Sequence, residues 1–147
     1  MSGDMTGGCQ CGAVRYVVTV DSDDAYLCHC RMCQKATGGV AAAFVQVGAD
    51  AVTWLADPHW YASSQIARRP FCPKCGTPLG FAFNDGEGMD LTVGSFDDPR
   101  QFRPVSHAGA ESLHEAWLDT SGLPRQRSDE TASVTEHWLA AGLTVPD

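Results

Sequence analysis

Basic residues are scarce in this chain of 147 residues, where 10 Lys and Arg stand against 18 Asp and Glu for a formal net charge of −8. Nucleic acids and anionic membranes attract proteins with surplus positive charge, so we expect neither as a partner. Long hydrophobic runs are also missing, because none approaches the roughly 20 residues that cross a bilayer. The first residues lack the basic and apolar stretches of a secretory signal. The sequence therefore predicts a cytoplasmic protein that does not engage membranes.

Charged residues make up only 19% of the chain, whereas apolar residues reach 44%, which is typical of a folded globular protein. A chain of this length usually forms one domain, and we expect one over residues 1–147. Folding at this size buries roughly 68–70% of the unfolded surface, so a core can form without disulfides.

The seven cysteines need another explanation, because an odd number cannot all pair and disulfides are rare in a reducing compartment. Such close spacings suit metal chelation, since one turn can direct two sulfurs at one ion. The cysteines form three groups: Cys9 and Cys11; Cys28, Cys30 and Cys33; Cys72 and Cys75.

Two of these groups together would form a structural zinc site. Cys9 and Cys11 project to one face if their segment is extended, and the Cys72–Cys75 spacing is that of a zinc knuckle. Four thiolates make a closed tetrahedral site. If each group stays whole, the other three cysteines form a second site with one coordination position open, as in catalytic zinc. The sequence thus predicts two zinc ions per chain.

Other interpretations of the three-cysteine group stay open. A C-x-x-C pair can be a redox pair, although no βαβ pattern surrounds either pair here. Iron–sulfur ligation also uses cysteines, but these spacings match neither common ferredoxin run. A histidine could instead close the second site, and five are available: His29, His59, His107, His114 and His137.

Short alternating segments predict a mainly β fold. Apolar residues alternate over 13–20, so that four of them share one face of a strand. Met and aromatic residues on the strands are expected in the core. A helical turn is predicted over 31–37, a hairpin across 48–50 and a turn over 84–86. The remaining strands are predicted over 26–29, 40–47, 51–55, 67–71, 79–83 and 89–93.

The C-terminal part of the chain has helical patterns instead. A short helix is predicted over 111–118 and a second over 133–141. Ser133 and Glu136 have the spacing of a capping box, and Gly142 is a helix stop. The fold class is therefore mainly β with one or two short helices near the C-terminus.

Positive charge is concentrated near the cysteines, because residues 31–76 carry five basic and two acidic side chains, a local charge of +3. Charge balance beside a thiolate-rich site, or simple solvent exposure, is the favoured interpretation. Such cations can also hold the carboxylates of an anionic substrate. Arg31 and Lys35 adjoin the three-cysteine group and are the candidate substrate-binding residues.

The cysteine motifs resemble those of a known family. Residues 8–16 (GCQCGAVRY), 28–38 (CHCRMCQKATG) and 71–79 (FCPKCGTPL) are similar, in this order, to the motifs of the Gfa-like family of glutathione-dependent formaldehyde-activating enzymes and centromere protein V. Residues 93–99 (VGSFDDP) resemble its later half. The resemblance covers about residues 7–126 and leaves 127–147 as a C-terminal tail with the second predicted helix.

This resemblance implies a β-tent fold of small antiparallel sheets around zinc. It implies structural zinc ligands at Cys9, Cys11, Cys72 and Cys75. It implies that Cys28, Cys30 and Cys33 hold a second zinc at which the family's thiol substrate acts. Both assignments agree with the partition derived from spacing.

The leading functional hypothesis is a zinc-dependent carbon–sulfur lyase or synthase. A small thiol such as glutathione would be activated as its thiolate and would add to an aldehyde-type electrophile. A non-catalytic binding module with two structural zincs is the alternative. A third hypothesis is a zinc or thiol sensor, in which oxidation of the three cysteines releases metal.

Overall fold

The computed structural model describes residues 3–146. The chain forms two compact units, Met1–His114 and Glu115–Asp147. The first unit contains every cysteine and all ten strands. The expectation of a single domain over 1–147 stays a prediction.

The first unit consists of short strands and one short helix. The helix is α1 (Arg31–Thr37). The strands are β1 (Gly3–Gly8), β2 (Arg15–Val20), β3 (Asp24–Cys28), β4 (Ala42–Gly48), β5 (Val52–Trp54), β6 (His59–Ala62), β7 (Ala67–Phe71), β8 (Gly80–Phe83), β9 (Gly88–Thr92) and β10 (Arg103–Ala108).

These strands form two sheets. One has three strands in the order β1-β2-β5, and the other has seven in the order β10-β3-β4-β9-β8-β7-β6. Neighbouring strands run antiparallel except for β10 and β3, which are parallel. The predicted mainly β class is confirmed, with small sheets and a helix near the C-terminus.

The main core follows from the alternation of apolar residues. In β2, Tyr16 and Val18 are fully buried. The Tyr16 ring packs edge-on against Trp54 and Phe96, and its buried hydroxyl is paired with Ser95 Oγ at 2.8 Å. Because this hydroxyl has a partner, its burial carries no unpaired polar group into the core.

The central strand β4 is buried on both faces at its middle. Val45 and Val47 face the main core, whereas Ala42 and Phe44 pack near the three-cysteine group. Successive side chains of a strand point to opposite faces, so the seven-stranded sheet has a core face and an outer face. The outer face is the one that meets the cysteines.

The predicted hairpin across residues 48–50 is wrong. Strand β4 pairs with β3 and β9, whereas β5 pairs with β2 in the other sheet. A 3₁₀ turn over Ala49–Ala51 carries the chain from one sheet to the other. The predicted turn over 84–86 is confirmed, because β8 and β9 pair antiparallel on either side of it.

The second unit contains α2 (Ala132–Ala140), which ends before Gly142 as expected. The predicted capping box is wrong, because the N-cap of α2 is Thr131 and its side chain makes no capping bond.

The predicted helix over 111–118 is also wrong, since this segment contains two 3₁₀ turns, Ala110–Ser112 and Glu115–Trp117. Within residues 3–146, neither helix has the length and apolar character needed to cross a membrane.

Candidate metal centres and the adjoining cavity

The first candidate centre joins two turns that are distant in sequence. Cys9 and Cys11 follow β1, and Cys72 and Cys75 follow β7. Their four Sγ atoms all lie within 4.8 Å of one another. Gly76 closes the second turn by donating its N–H to the Cys72 carbonyl at 2.8 Å, and its φ of 79° strongly favours glycine.

The spacing of these sulfurs suits zinc. A Zn–S bond of about 2.3 Å places the sulfurs of a tetrahedral site about 3.8 Å apart. The Sγ atoms of Cys9 and Cys11 are 3.5 Å apart, and those of Cys11 and Cys72 are 3.8 Å apart. The donor set and its size therefore fit a four-thiolate zinc site, and Cys9, Cys11, Cys72 and Cys75 would hold that ion.

Hydrogen bonds to the sulfurs of Cys9 and Cys75 also favour the charged form of these two thiols. The N–H of Val14 donates to Cys9 Sγ at 3.2 Å, and Thr77 Oγ1 lies 3.1 Å from Cys75 Sγ. The Thr77 hydroxyl, followed by the Thr77 backbone N–H, lowers the pKa of Cys75 to about 5. A thiol must lose its proton to bind a metal, so this environment prepares Cys75 as a ligand.

The second candidate centre forms where β3 ends and α1 begins. Cys28 is the last residue of β3, Cys30 is the N-cap of α1, and Cys33 lies within the helix. Their three Sγ atoms lie within 4.8 Å of one another. The helix brings Cys30 and Cys33 together, because the N–H of Cys33 donates to Cys30 Sγ at 3.3 Å.

The glycine that directly follows β10 allows the turn with Cys30 to pack closely against it. Gly109 lies beside Cys30, and a Cβ added to Gly109 would lie 2.5 Å from the backbone N of Cys30. Its φ of 62° is also in the left-handed region that favours glycine. Gly109 therefore sets the position of Cys30 through a close backbone approach.

In the part of the chain that the structure describes, the three-cysteine centre has no fourth protein ligand of the usual kinds. Within residues 3–146, no His, Cys, Asp or Glu joins Cys28, Cys30 and Cys33 in this group. His29 is buried, and its Nε2 is paired with Nδ1 of His107 at 2.8 Å. The described part of the chain therefore brings three sulfur donors together at this centre, and the open coordination position stays a prediction.

Burial makes a cation necessary for these thiols to ionise together. Burial, together with the neighbouring thiols of Cys33 and Cys30, raises the pKa of Cys28 to about 12. The pKa of Cys30 lies below its usual range because hydrogen bonds, led by the N–H of Cys33, outweigh its burial. Ionisation of one thiol thus raises the pKa of its neighbours, and a divalent cation would reduce the repulsion between the thiolates. Zinc fits this donor set, which would hold it as a three-thiolate centre.

A buried arginine adjoins this centre. Arg69, on β7, is only 4% exposed, and its Nη2 donates to Cys33 Sγ at 3.4 Å. Its guanidinium carbon lies 4.9 Å from the centroid of the Phe81 ring. Its Nε has no hydrogen-bond partner, and among residues 3–146 no carboxylate lies within 4.0 Å of its nitrogens. The sulfurs are therefore the nearest available negative charge for this cation.

The outer face of the sheet forms a cavity beside the three cysteines, with a volume of about 320 Å³. Strand pairing brings the residues of the cavity floor together. Tyr26 on β3 is opposite Phe44 on β4. Phe81 on β8 is opposite Asp90 on β9. The walls are mostly apolar, and the cysteines lie at one side. The lining includes Tyr26, Cys28, Cys30, Met32, Cys33, Phe44, Ser63, Ser64, Ile66, Arg69, Phe81, Phe83 and Asp90.

Asp90 is the acidic group of this cavity. Burial raises the pKa of its carboxyl to about 6, and the hydroxyl of Tyr26 partly opposes that rise. Burial and the Asp90 charge raise the pKa of Tyr26 well above its ordinary value. Asp90 is therefore able to gain and lose a proton near neutral pH.

Arg31 and Lys35, the predicted substrate-binding residues, lie on the exposed side of α1. Arg31 Nη1 donates to Gln34 Oε1 at 2.6 Å. Neither residue lines the cavity. Their role in binding substrate stays a prediction.

Sequence reasoning missed Arg69 and Asp90 as site residues. The local pattern of each strand gave a partial signal. Arg69 lies two residues after buried Ala67 and so shares its face of the strand, and Asp90 lies between the buried residues Met89 and Leu91. The side on which these residues meet the cysteines depends on strand pairing, which the local pattern does not contain.

The fold and the motifs have counterparts among known proteins. The structure resembles a crystal structure of a Rhodobacter sphaeroides protein with a TM-score of 0.56 and 23% identity, over 71% of this chain and 100% of that chain. A curated Schizosaccharomyces pombe protein, named an uncharacterized lyase, is 32% identical over 81 residues, which are 55% of this chain. The matched region spans 59% of that relative's length.

A family model matches a larger part of the chain. Residues 4–112 match the model for the glutathione-dependent formaldehyde-activating enzyme. This range includes all seven cysteines and the lining of the cavity. The match confirms the resemblance that the cysteine motifs predicted, and the chain belongs to the glutathione-dependent formaldehyde-activating enzyme family.

Proposed function

We propose that this protein is a zinc-dependent enzyme that makes or breaks a carbon–sulfur bond between a small thiol and an aldehyde. The observation that carries the proposal is the three-cysteine group, which borders a cavity and has no fourth His, Cys, Asp or Glu in its cluster among residues 3–146. Family membership and the lyase name of the yeast relative support the reaction class. The family description makes glutathione the thiol to test first.

The two centres have different roles in this proposal. Cys9, Cys11, Cys72 and Cys75 hold a structural zinc that ties the turn after β1 to the turn after β7. Cys28, Cys30 and Cys33 are ligands of a second zinc and not nucleophiles. A zinc ion held by these three cysteines supplies a positive charge that lowers the pKa of an added thiol.

A side chain of the cavity transfers the thiol proton in this reaction. Asp90 accepts the thiol proton at its carboxylate, and the sulfur–carbon bond forms as the carbonyl π bond breaks. Asp90 then returns the same proton to the carbonyl oxygen, so the product is a hemithioacetal with no atom left over. The reverse sequence is the lyase direction. Tyr26 contacts the Asp90 carboxyl and orients it, and a pKa of about 6 lets this group work in both directions.

The apolar walls and the buried Arg69 serve the same chemistry. The aromatic side chains limit water around the reacting atoms, which strengthens electrostatic interactions there. Arg69 offsets negative charge at Cys33, so that an anionic thiol meets less repulsion. A reducing compartment such as the cytoplasm would keep all seven cysteines free for these roles.

The test removes one ligand of the second centre. Wild-type protein should hold two zinc ions per chain by elemental analysis, and Cys30→Ser should hold one and remain folded. Exchange between free thiol plus aldehyde and their adduct, followed by NMR, should exceed the spontaneous rate only for the wild type. Thr37→Ser, on the same helix and outside the cluster, is the matched control and should retain both properties. Full activity of Cys30→Ser with one zinc would disprove the proposal.

A further inference from the structure

The cavity beside the three-cysteine centre is far more apolar than a one-carbon aldehyde requires. Phe44 and Phe81 form part of its inner wall. Met32, Ile66 and Phe83 line it while being 56%, 60% and 50% exposed, respectively. Exposed apolar residues scattered singly have little meaning, but these three border one cavity.

The size of the cavity also exceeds what formaldehyde needs. Its volume of about 320 Å³ falls within the roughly 300–1,000 Å³ range of small-molecule sites. A one-carbon carbonyl would occupy a small part of this space and would leave the aromatic wall in contact with water. The cavity therefore accommodates a substituent attached to the reacting carbon.

The charges of the cavity do not match glutathione itself. Glutathione carries two carboxylates and an ammonium, which need charged or strongly polar partners. The basic side chain that lines the cavity is Arg69, which is already engaged by Cys33 Sγ and the Phe81 ring. The body of glutathione is thus a poor occupant, whereas an uncharged apolar group suits these walls.

Resting on the proposed function, we infer that the substrate electrophile is an aldehyde with an apolar side chain, aromatic or branched aliphatic, and that this side chain occupies the cavity. Phe81 and Phe83 form an edge-to-face pair with ring centroids 5.0 Å apart. Such a pair offers both a ring face and a ring edge to a further aromatic group. The carbonyl carbon then lies toward the cysteines, and the substituent extends along the outer face of the sheet.

The experiment compares two stable adduct analogues that differ only in this substituent. S-benzylglutathione and S-methylglutathione are titrated into zinc-loaded protein by calorimetry. The benzyl compound should bind at least tenfold more tightly, or about 1.4 kcal/mol. The double variant Ile66→Ser, Phe83→Ser should reduce this preference to threefold or less. Both side chains are at least half exposed, so the variant should fold.

A matched double variant controls for the loss of exposed apolar surface. Leu55→Ser, Val105→Ser removes two side chains that are 66% and 61% exposed and lie outside the cavity, and it should keep the full preference. Equal binding of the two compounds to wild-type protein would overturn the inference. A preference that survives in the cavity variant would overturn it as well.

A second measurement separates this inference from the proposed function. Benzyl alcohol and methanol, which lack the glutathione part, are added while amide NMR shifts of Phe81 and Phe83 are followed. If neither conjugate binds but benzyl alcohol alone shifts these amides, the result supports the apolar site and contradicts glutathione as the thiol. If benzyl alcohol produces no larger shift than methanol, the apolar site itself is refuted.

Discussion

Replacing Arg69 by Met should have opposite effects on stability with and without metal. Arg69 is buried, and its Nη2 lies 3.4 Å from Cys33 Sγ. When the cysteines are thiolates, the guanidinium compensates part of their charge. In metal-free protein, where the three cysteines do not all ionise, the same guanidinium is a buried cation with less compensating charge and no carboxylate partner among residues 3–146.

The magnitude follows from the distance. Unit charges 3.4 Å apart attract by about 5 kcal/mol at an effective dielectric constant of ~20. Desolvation of both groups cancels several kcal/mol of this attraction. Partners of metal ligands typically change metal affinity about 10–100-fold when they are removed, or about 1.4–2.7 kcal/mol. We expect Arg69→Met to weaken zinc binding at the three-cysteine centre by this factor and to leave the four-cysteine centre unchanged.

The assay combines chelator competition with urea unfolding. A chromophoric chelator should extract one zinc per chain from Arg69→Met more readily than from wild type, and the second zinc equally. The metal-free variant should be as stable as metal-free wild type or more so, because an unpaired buried charge is removed. Arg68→Met is the control, since Arg68 is exposed and stacks on Trp60 with its guanidinium 4.4 Å from the ring centroid.

Either of two results would refute this reasoning. If Arg69→Met destabilises metal-free and zinc-loaded protein equally, Arg69 acts through packing on Phe81 and not through charge. Equal chelator sensitivity in Arg69→Met and Arg68→Met would lead to the same conclusion.

Three further predictions follow from local geometry. Asp90→Asn should slow thiol–aldehyde exchange and remove a titration near pH 6 from its pH profile. Because burial raises the pKa of Asp90 to about 6, the native state binds a proton more tightly than the unfolded state, so wild-type stability relative to that of Asp90→Asn should fall by about 1–2 kcal/mol as pH rises from about 4 to 6, measured by urea unfolding. Gly109→Ala should cost about 1–3 kcal/mol and reduce zinc content toward one per chain, since the added Cβ would contact Cys30; unchanged zinc content would contradict this. Asp97, whose pKa the Arg15 guanidinium lowers to about 2, should stabilise the fold above pH 4 and lose that effect as pH falls toward 2, and an identical acid-unfolding curve for Asp97→Asn would contradict it.

Local chemistry explains what the sequence could predict about the centres. The helix over residues 31–37 matches α1, because Cys30 supplies an N-cap and Gly38 ends the helix. The C-x-x-C spacing then brings Cys30 and Cys33 together within a single turn. The composition of the three-cysteine group depends on such short-range geometry, so spacing was sufficient to predict it, whereas joining Cys9 and Cys11 to Cys72 and Cys75 needed the assumption that each group stays whole.

Strand pairing was the step that sequence could not supply. Residues 42–48 and 52–54 both form strands, but each pairs with strands distant in the chain and not with the other. Strand β10 was missed because Val105 and most of its neighbours are exposed, which leaves no alternation to detect. An edge strand held by parallel pairing to β3 has no signal in its own sequence.

The cavity was missed for the same reason. Aromatic residues on strands are usually in the core, and Phe44 is buried as expected. Phe83, however, is half exposed and lines the cavity. The pattern shows that a side chain is apolar, but only the pairing of β7, β8 and β9 decides that it faces the cysteines and not the core.

Strand β7 borders both candidate metal centres. Its middle residue, Arg69, contacts Cys33 in one centre, and Cys72, in the other centre, directly follows its end. A shift of β7 by one residue would turn Arg69 away from the sulfurs and misplace Cys72 in the same movement. The register of β7 is therefore a shared requirement of the two centres, and a change that shifts this strand should disturb both of them together.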